Sequence, residues 1–99
     1  MTDLRHRWDQ RITDWPTVSK IASDLGMRGQ GRHFYCPGCQ PAGGSSPELK
    51  IHDGGFECFR CGMRGDIVGL VKLANNCDLE EAIQWLESET GEHLEPDND

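Results

Sequence analysis

Four cysteines constrain this chain more than any other feature. They stand in two close pairs, Cys36-Pro37-Gly38-Cys39 and Cys58-Phe59-Arg60-Cys61, spaced C-x2-C-x18-C-x2-C. A two-residue gap lets both thiolates of a pair reach one ion from a single tight turn. The longer gap leaves room for a short hairpin that carries the second pair to the same ion. Zinc takes four such ligands tetrahedrally, with Zn–S at ~2.3 Å, and this spacing lies in the range of zinc sites. Gly38 sits inside the first pair and Gly62 follows the second. Glycine permits the turns that aim backbone N–H groups at sulfur. Two disulfides would each close a strained four-residue loop. A redox Cys-x-x-Cys normally occurs once, in a thioredoxin-like strand–helix context. The spacing therefore predicts one structural zinc on Cys36, Cys39, Cys58 and Cys61. Four protein thiolates leave no open position, so the ion should not activate water.

A metal staple suits a chain of 99 residues, which makes one domain at most and buries only a small core. Thr2 to Trp15 is studded with charge, unlike a secretory leader, and no apolar run approaches membrane-spanning length. With reduced thiolates on zinc, the expectation is a cytoplasmic protein with no membrane partner and no small-molecule substrate. The fifth cysteine, Cys77, follows an apolar stretch and reads as a half-buried thiol near a helix end, outside the ligand set.

The net charge of −7 argues against nucleic acid until its distribution is considered. From Asp66 to Asp99 there are ten acids and one base, Lys72; from Met1 to Gly65 there are nine bases and seven acids. The acidity belongs to the C-terminal third, and the segment around the cysteine pairs is mildly basic. The zinc with its four thiolates carries a formal charge of −2, which offsets that excess.

Leu4, Trp8, Ile12 and Trp15 form one helical stripe, the basis for an N-terminal amphipathic helix over 1–16. Pro16 opens a second helix, with Thr13 or Asp14 as its cap and Val18, Ile21, Ala22 and Leu25 as its apolar face. Gly26 is its stop. Gly29-Gln30-Gly31 reads as a turn, His33-Phe34-Tyr35 as a short strand, and Gln40 to Pro47 as a loop. Leu49 to His52 and Phe56 to Phe59 read as a hairpin around Asp53-Gly54-Gly55. Asp66 caps a broadly apolar helix. Asp78 opens the last one, with Leu79, Ala82, Ile83 and Leu86 inward and Gly91 at its end. The fold class is small α+β: a zinc ribbon flanked by N- and C-terminal helices, with a core domain over 17–91. Residues 92–99 read as an acidic disordered tail.

Several ordered pieces carry a family likeness. Leu25-Gly26-Met27 is followed by Gly31-Arg32-His33-Phe34-Tyr35-Cys36-Pro37-Gly38-Cys39, and then by Ser45-Ser46-Pro47-Glu48-Leu49-Lys50-Ile51. The most specific block is Gly55-Phe56-Glu57-Cys58-Phe59-Arg60-Cys61-Gly62-Met63-Arg64-Gly65-Asp66-Ile67-Val68, with its Gly-x-x-Gly-Asp-Ile exit into a helix. Ile21 to Trp85 thus resembles the zinc-binding domain of bacterial DnaG-type DNA primases, the CHC-type zinc finger. That family usually has histidine where this chain has Cys39. All-cysteine versions occur in phage and mobile-element primases. The resemblance implies a module that contacts single-stranded DNA template for primer synthesis, with the chemistry in separate polymerase and helicase regions. The chain alone is not expected to synthesise primers, and a primase catalytic module or a helicase is an expected partner.

Single-stranded DNA is held by basic side chains along its backbone and aromatic faces under its bases. The candidates are Arg60 and Arg64 at the second knuckle, with Lys50, Tyr35 and Arg32 around the ribbon. Phe56 and Phe59 flank Cys58, and at least one should pack against the Asp66 helix. Trp8 and Trp15 fit either docking on their own domain or anchoring a partner. The alternative function is a zinc-ribbon protein-interaction module, an adaptor or inhibitor of a replication or transcription complex. It draws on the acidic last third.

Overall fold

The computed structural model describes residues 4–40 and 42–92. It is a small α+β domain, with two N-terminal helices, a five-stranded antiparallel sheet carrying the four cysteines, and two C-terminal helices. The helices are α1 (Leu4–Arg11), α2 (Trp15–Asp24), α3 (Ile67–Asn75) and α4 (Leu79–Thr90). The strands are β1 (Gly29–Gln30), β2 (His33–Phe34), β3 (Leu49–His52), β4 (Gly55–Cys58) and β5 (Arg64–Asp66). They lie side by side in chain order, so every connection is a local antiparallel return. Among the described residues no helix is long and apolar enough to cross a membrane.

Capping sets the helix starts. The Asp14 carboxylate accepts from Thr17 N–H at 3.2 Å, Asp66 from Gly69 N–H at 2.7 Å, and Asp78 from Glu81 N–H at 2.9 Å. Each satisfies a donor that the first turn of a helix leaves unpaired. The Asp14 cap splits the expected Leu4-to-Trp15 stripe. α1 ends at Arg11, and Trp15 is the first residue of α2 rather than the last of α1. Trp8 and Ile12 still point into the core. Gly26 and Gly91 adopt positive φ just beyond their helices, as expected of stops.

Two strands are additions to the sequence reading. Gly29-Gln30 is a strand, turned back onto β2 by Gly31 and Arg32. Only glycine fits at position 29, because a Cβ there would lie 2.4 Å from the His33 carbonyl oxygen and 2.6 Å from the Phe34 Cα. Arg64-Gly65-Asp66 is β5, a sheet edge rather than a bare exit turn.

The helices bury one face of the sheet. Leu49 and Ile51 of β3, Phe34 of β2 and Phe56 of β4 meet Val18, Ile21 and Ala22 of α2 and Ile67, Val68, Leu70 and Val71 of α3 in a single core. α4 adds Ala82, Ile83 and Leu86. Leu79, expected on that inward face, is 41% exposed, since it is the first residue of the helix and lies beyond the covered surface. Trp8 is fully buried in the chain's own core, which decides its role in favour of docking. The ends of the helical layer are tied by ion pairs: Arg11 with Glu92, and Lys20 with Asp24 and Glu89. Glu92 is the only residue of the expected tail that is described; 93–99 lie outside the described residues.

Candidate metal centre

Each cysteine pair sits on a knuckle at one end of the ribbon. The first follows β2. Gln40 N–H donates to the Cys36 carbonyl at 2.7 Å and closes the turn. The N–H groups of Cys39 and Gly38 turn onto the Cys36 sulfur. The second knuckle joins β4 to β5. Gly62 N–H donates to the Cys58 carbonyl at 3.0 Å, and Cys58 N–H donates to the Met63 carbonyl at 2.7 Å. The N–H groups of Cys61 and Arg60 face the Cys58 sulfur. Gly62 has φ +78°, the left-handed conformation that lets the turn close.

These turns bring all four sulfurs within 4.8 Å of one another. Cys39 and Cys58 approach to 3.5 Å, and Cys36 and Cys61 to 4.0 Å. Four sulfurs around a tetrahedral zinc at ~2.3 Å stand about 3.8 Å apart. The donor set and its spacing therefore fit one zinc ion, held by Cys36, Cys39, Cys58 and Cys61. The sulfur environment is graded: Cys36 and Cys58 are buried, Cys39 half-buried and Cys61 exposed. The electrostatics are graded too. Burial, then the neighbouring sulfurs, push Cys39 up to about 12. Burial also pushes Cys58 upward, but hydrogen bonds from the N–H groups of Cys61 and Arg60 and from the thiols of Cys39 and Cys61 act against it, and its pKa falls to about 7. Zinc bound to all four would supply structural cross-linking, with no coordination position left for substrate.

Cys77 lies outside this cluster. It is half-buried at the start of the α3–α4 link, with its sulfur 4.0 Å from the Val71 carbonyl. Burial, then the carboxylates of Glu81 and Asp78, raise its pKa.

A residue the sequence reading passed over holds the centre in place. Gln40 is only 4% exposed. Its Oε1 accepts from Cys36 N–H at 3.3 Å and from Glu48 N–H at 3.1 Å, while its Nε2 donates to the Ser46 carbonyl at 2.8 Å. Glu48 in turn accepts at its carbonyl from Phe59 N–H at 2.9 Å. One amide thus links the first knuckle through the 46–48 segment to the second. Its position directly after Cys39 was the available signal, lost in a stretch rich in glycine and proline.

The sheet face away from the helices carries a polar row. Register places Gln30 opposite His33, His33 opposite Lys50, Lys50 opposite Glu57, and Glu57 opposite Arg64. Directly paired residues project to the same face. Gln30, His33 and Arg64 are exposed, and Lys50 and Glu57 half-buried. The acids gather toward the β3–β4 turn, where Asp9, Asp53, Glu57 and Asp66 border a shallow groove that His52 and Arg64 also line. At the knuckle end the surface is basic and apolar. Arg60 is exposed, Phe59 is 62% exposed and Met63 45%. Phe56 is the phenylalanine that packs inside, at 4% exposure. The other two contact candidates are engaged within the fold. Arg32 lies over the Trp15 ring at 5.3 Å and donates to the Ile51 carbonyl at 3.1 Å. The half-buried Tyr35 donates from its hydroxyl to the Gly44 carbonyl at 3.2 Å.

No family model, no curated protein and no solved structure matches the chain.

Proposed function

We propose that this zinc-binding module contacts single-stranded DNA as part of a DNA primase or primase-like replication protein, without catalysis of its own. The observation that carries the reading is the juxtaposition at the second knuckle. Exposed Phe59 and Arg60 lie on the turn that leads into Arg64, which ends the cross-sheet row through Lys50 and His33. An exposed aromatic face among cations is what a stacked base and its phosphate require. The resemblance of the Gly55–Val68 block to primase zinc domains supports the same reading, as does the closed cysteine shell, which leaves the ion no reaction to perform. The acids near the β3–β4 turn would repel phosphate, so the strand is expected to cross at the knuckle end. A catalytic primase module or a helicase would supply the remaining affinity.

The test is titration of a labelled single-stranded oligonucleotide at low salt. Binding is expected in the micromolar range or weaker, because few cations are available and each phosphate contact adds only about −0.7 to the salt slope. Arg60→Ala with Arg64→Ala should abolish it while zinc content stays whole. Absent wild-type binding, or equal binding by the double variant, would replace this reading with the protein-interaction one. The acidic groove of Asp9, Asp53, Glu57 and Asp66, with the net charge of −7, favours a basic protein surface for that second reading.

A further inference from the structure

Lys72 is the only base between Asp66 and Asp99, and the knuckle contacts above leave it unused. It lies on α3 beside a groove of about 400 Å³ that runs between this helix and the edge strand β5. Arg64 of β5 and Lys72 of α3 supply its two cations, from different elements. Phe56, Met63 and Leu73 supply apolar surface, and Asn76 brings an amide at the helix end. Gly65 and Gly69 line it without side chains; a Cβ on Gly65 would already press to 3.3 Å against the Phe56 ring. No carboxylate lines it, in contrast to the groove at the β3–β4 turn, where four carboxylates accompany Arg64. Cys77 closes the groove at the end of α3, where the charges of Lys72, Asp78 and Glu81 all act on its thiol, so Arg64 and Lys72 are the lining groups that attract an anion.

We infer that this groove takes one nucleotide of the DNA that crosses the second knuckle, its phosphate between Arg64 and Lys72 and its base against Met63 and Leu73. The inference rests on the DNA-contact reading above. Its size falls in the ~300–1,000 Å³ range of small-ligand sites, suited to a single unstacked nucleotide. A base offers a flat apolar face to the side chains and a donor–acceptor edge to the Asn76 amide, which carries both functions. An acidic peptide side chain would satisfy the cations but not these. Continuity decides the source: Arg64 and Met63 belong to both the groove and the knuckle surface, so a strand on Phe59 and Arg60 has the groove as its next stop.

The experiment uses the zinc-loaded 99-residue chain, a short single-stranded oligonucleotide, and backbone amide NMR shifts. Amides of Gly65, Gly69 and Asn76 should shift together with those of Phe59 and Arg60. Lys72→Ala, benign on a helix, should weaken binding about five-fold at 0.1 M salt and reduce the salt slope by about 0.7. An oligonucleotide that shifts only the knuckle amides, and binds Lys72→Ala as tightly as wild type, overturns the groove inference and leaves the DNA reading standing. No oligonucleotide binding at all removes both. Groove shifts with a polyglutamate peptide but not with DNA would overturn the inference in favour of an acidic protein partner.

Discussion

The sulfurs of Cys39 and Cys58 lie 3.5 Å apart, although the residues are nineteen positions apart in the chain. Two thiolates at that distance cannot both keep full charge without a cation between them. Burial and its sulfur neighbours therefore hold Cys39 protonated to about 12, and burial raises Cys36 as well. Zinc must displace at least those two protons at neutral pH. Cys58 takes up its own proton below about 7, so affinity is then expected to fall by at least three log units for each pH unit lost below that point. Whatever structure persists without metal runs the other way. The stability that raised thiols contribute to it is present below the ordinary thiol pKa and is lost as pH rises toward about 12. Calorimetric zinc titration in buffers of different ionisation enthalpy checks this; no proton release would refute it.

Zinc and fold should be a single event. Cys58→Ser is expected to lose the ion and the ribbon together, forfeiting most of the roughly 10–16 kcal/mol that structural zinc supplies to small domains. Cys77→Ser should keep one zinc per chain, since its thiol reaches only the Val71 carbonyl. Metal analysis with amide NMR reads both. Zinc lost from the Cys77 variant would mean that the ligand set is misassigned.

Gln40→Ala removes the amide between the knuckles and strands the N–H groups of Cys36 and Glu48. An unsatisfied buried group costs about 1–3 kcal/mol, so a loss of about 2–4 kcal/mol is expected in denaturant unfolding of the zinc-loaded protein. Zinc transfer to a chelator should quicken as well. Unchanged stability would assign the support of the first knuckle elsewhere.

The two phenylalanines around Cys58 should separate stability from binding. Phe56→Ala empties the core and should cost about 3–5 kcal/mol. Phe59→Ala should leave stability within about 0.5 kcal/mol, yet weaken oligonucleotide binding by about 1–3 kcal/mol if a base stacks there. Paired unfolding curves and titrations decide it, and a Phe59 variant that binds normally would remove the stacking role.

Arg32→Ala should act on the fold before it acts on DNA. Its guanidinium lies over Trp15 and its Nε donates to the Ile51 carbonyl. A cation–π contact and a hydrogen bond of this kind are together worth about 1–2 kcal/mol. Denaturant unfolding followed by circular dichroism should report the loss. A change in DNA affinity without a change in stability would return Arg32 to the contact surface.

Much of this arrangement is legible in the residues. The cysteine spacing points to the cluster, and an aspartate before each apolar run marks the starts of α2, α3 and α4. The hairpin of Leu49 to Cys58 shows in its alternation around Asp53-Gly54-Gly55. β1 and β5 do not show, because Gly29-Gln30 and Arg64-Gly65-Asp66 carry no apolar alternation; their neighbours' ladders recruit them. The break between α1 and α2 shows in Pro16 and Asp14, but the side of it on which Trp15 falls does not, because the same apolar spacing serves one helix or two packed ones and only the Asp14 cap chooses. Gln40 is invisible because a polar residue in a loop is ordinarily solvated, and burial by knuckle packing is a tertiary event.

The burial gradient across the four sulfurs gives the metal centre a door. The four cysteines would complete a tetrahedral shell, but Cys36 and Cys58 are walled in while Cys61 faces solvent. Ligand exchange therefore has one direction of approach. An incoming thiolate or oxidant would meet the Cys61 sulfur first, so a zinc held by these four cysteines would be expected to exchange that ligand before any other. Tight equilibrium retention and brisk handover are compatible in such a site, because the first concerns all four sulfurs and the second only the outermost.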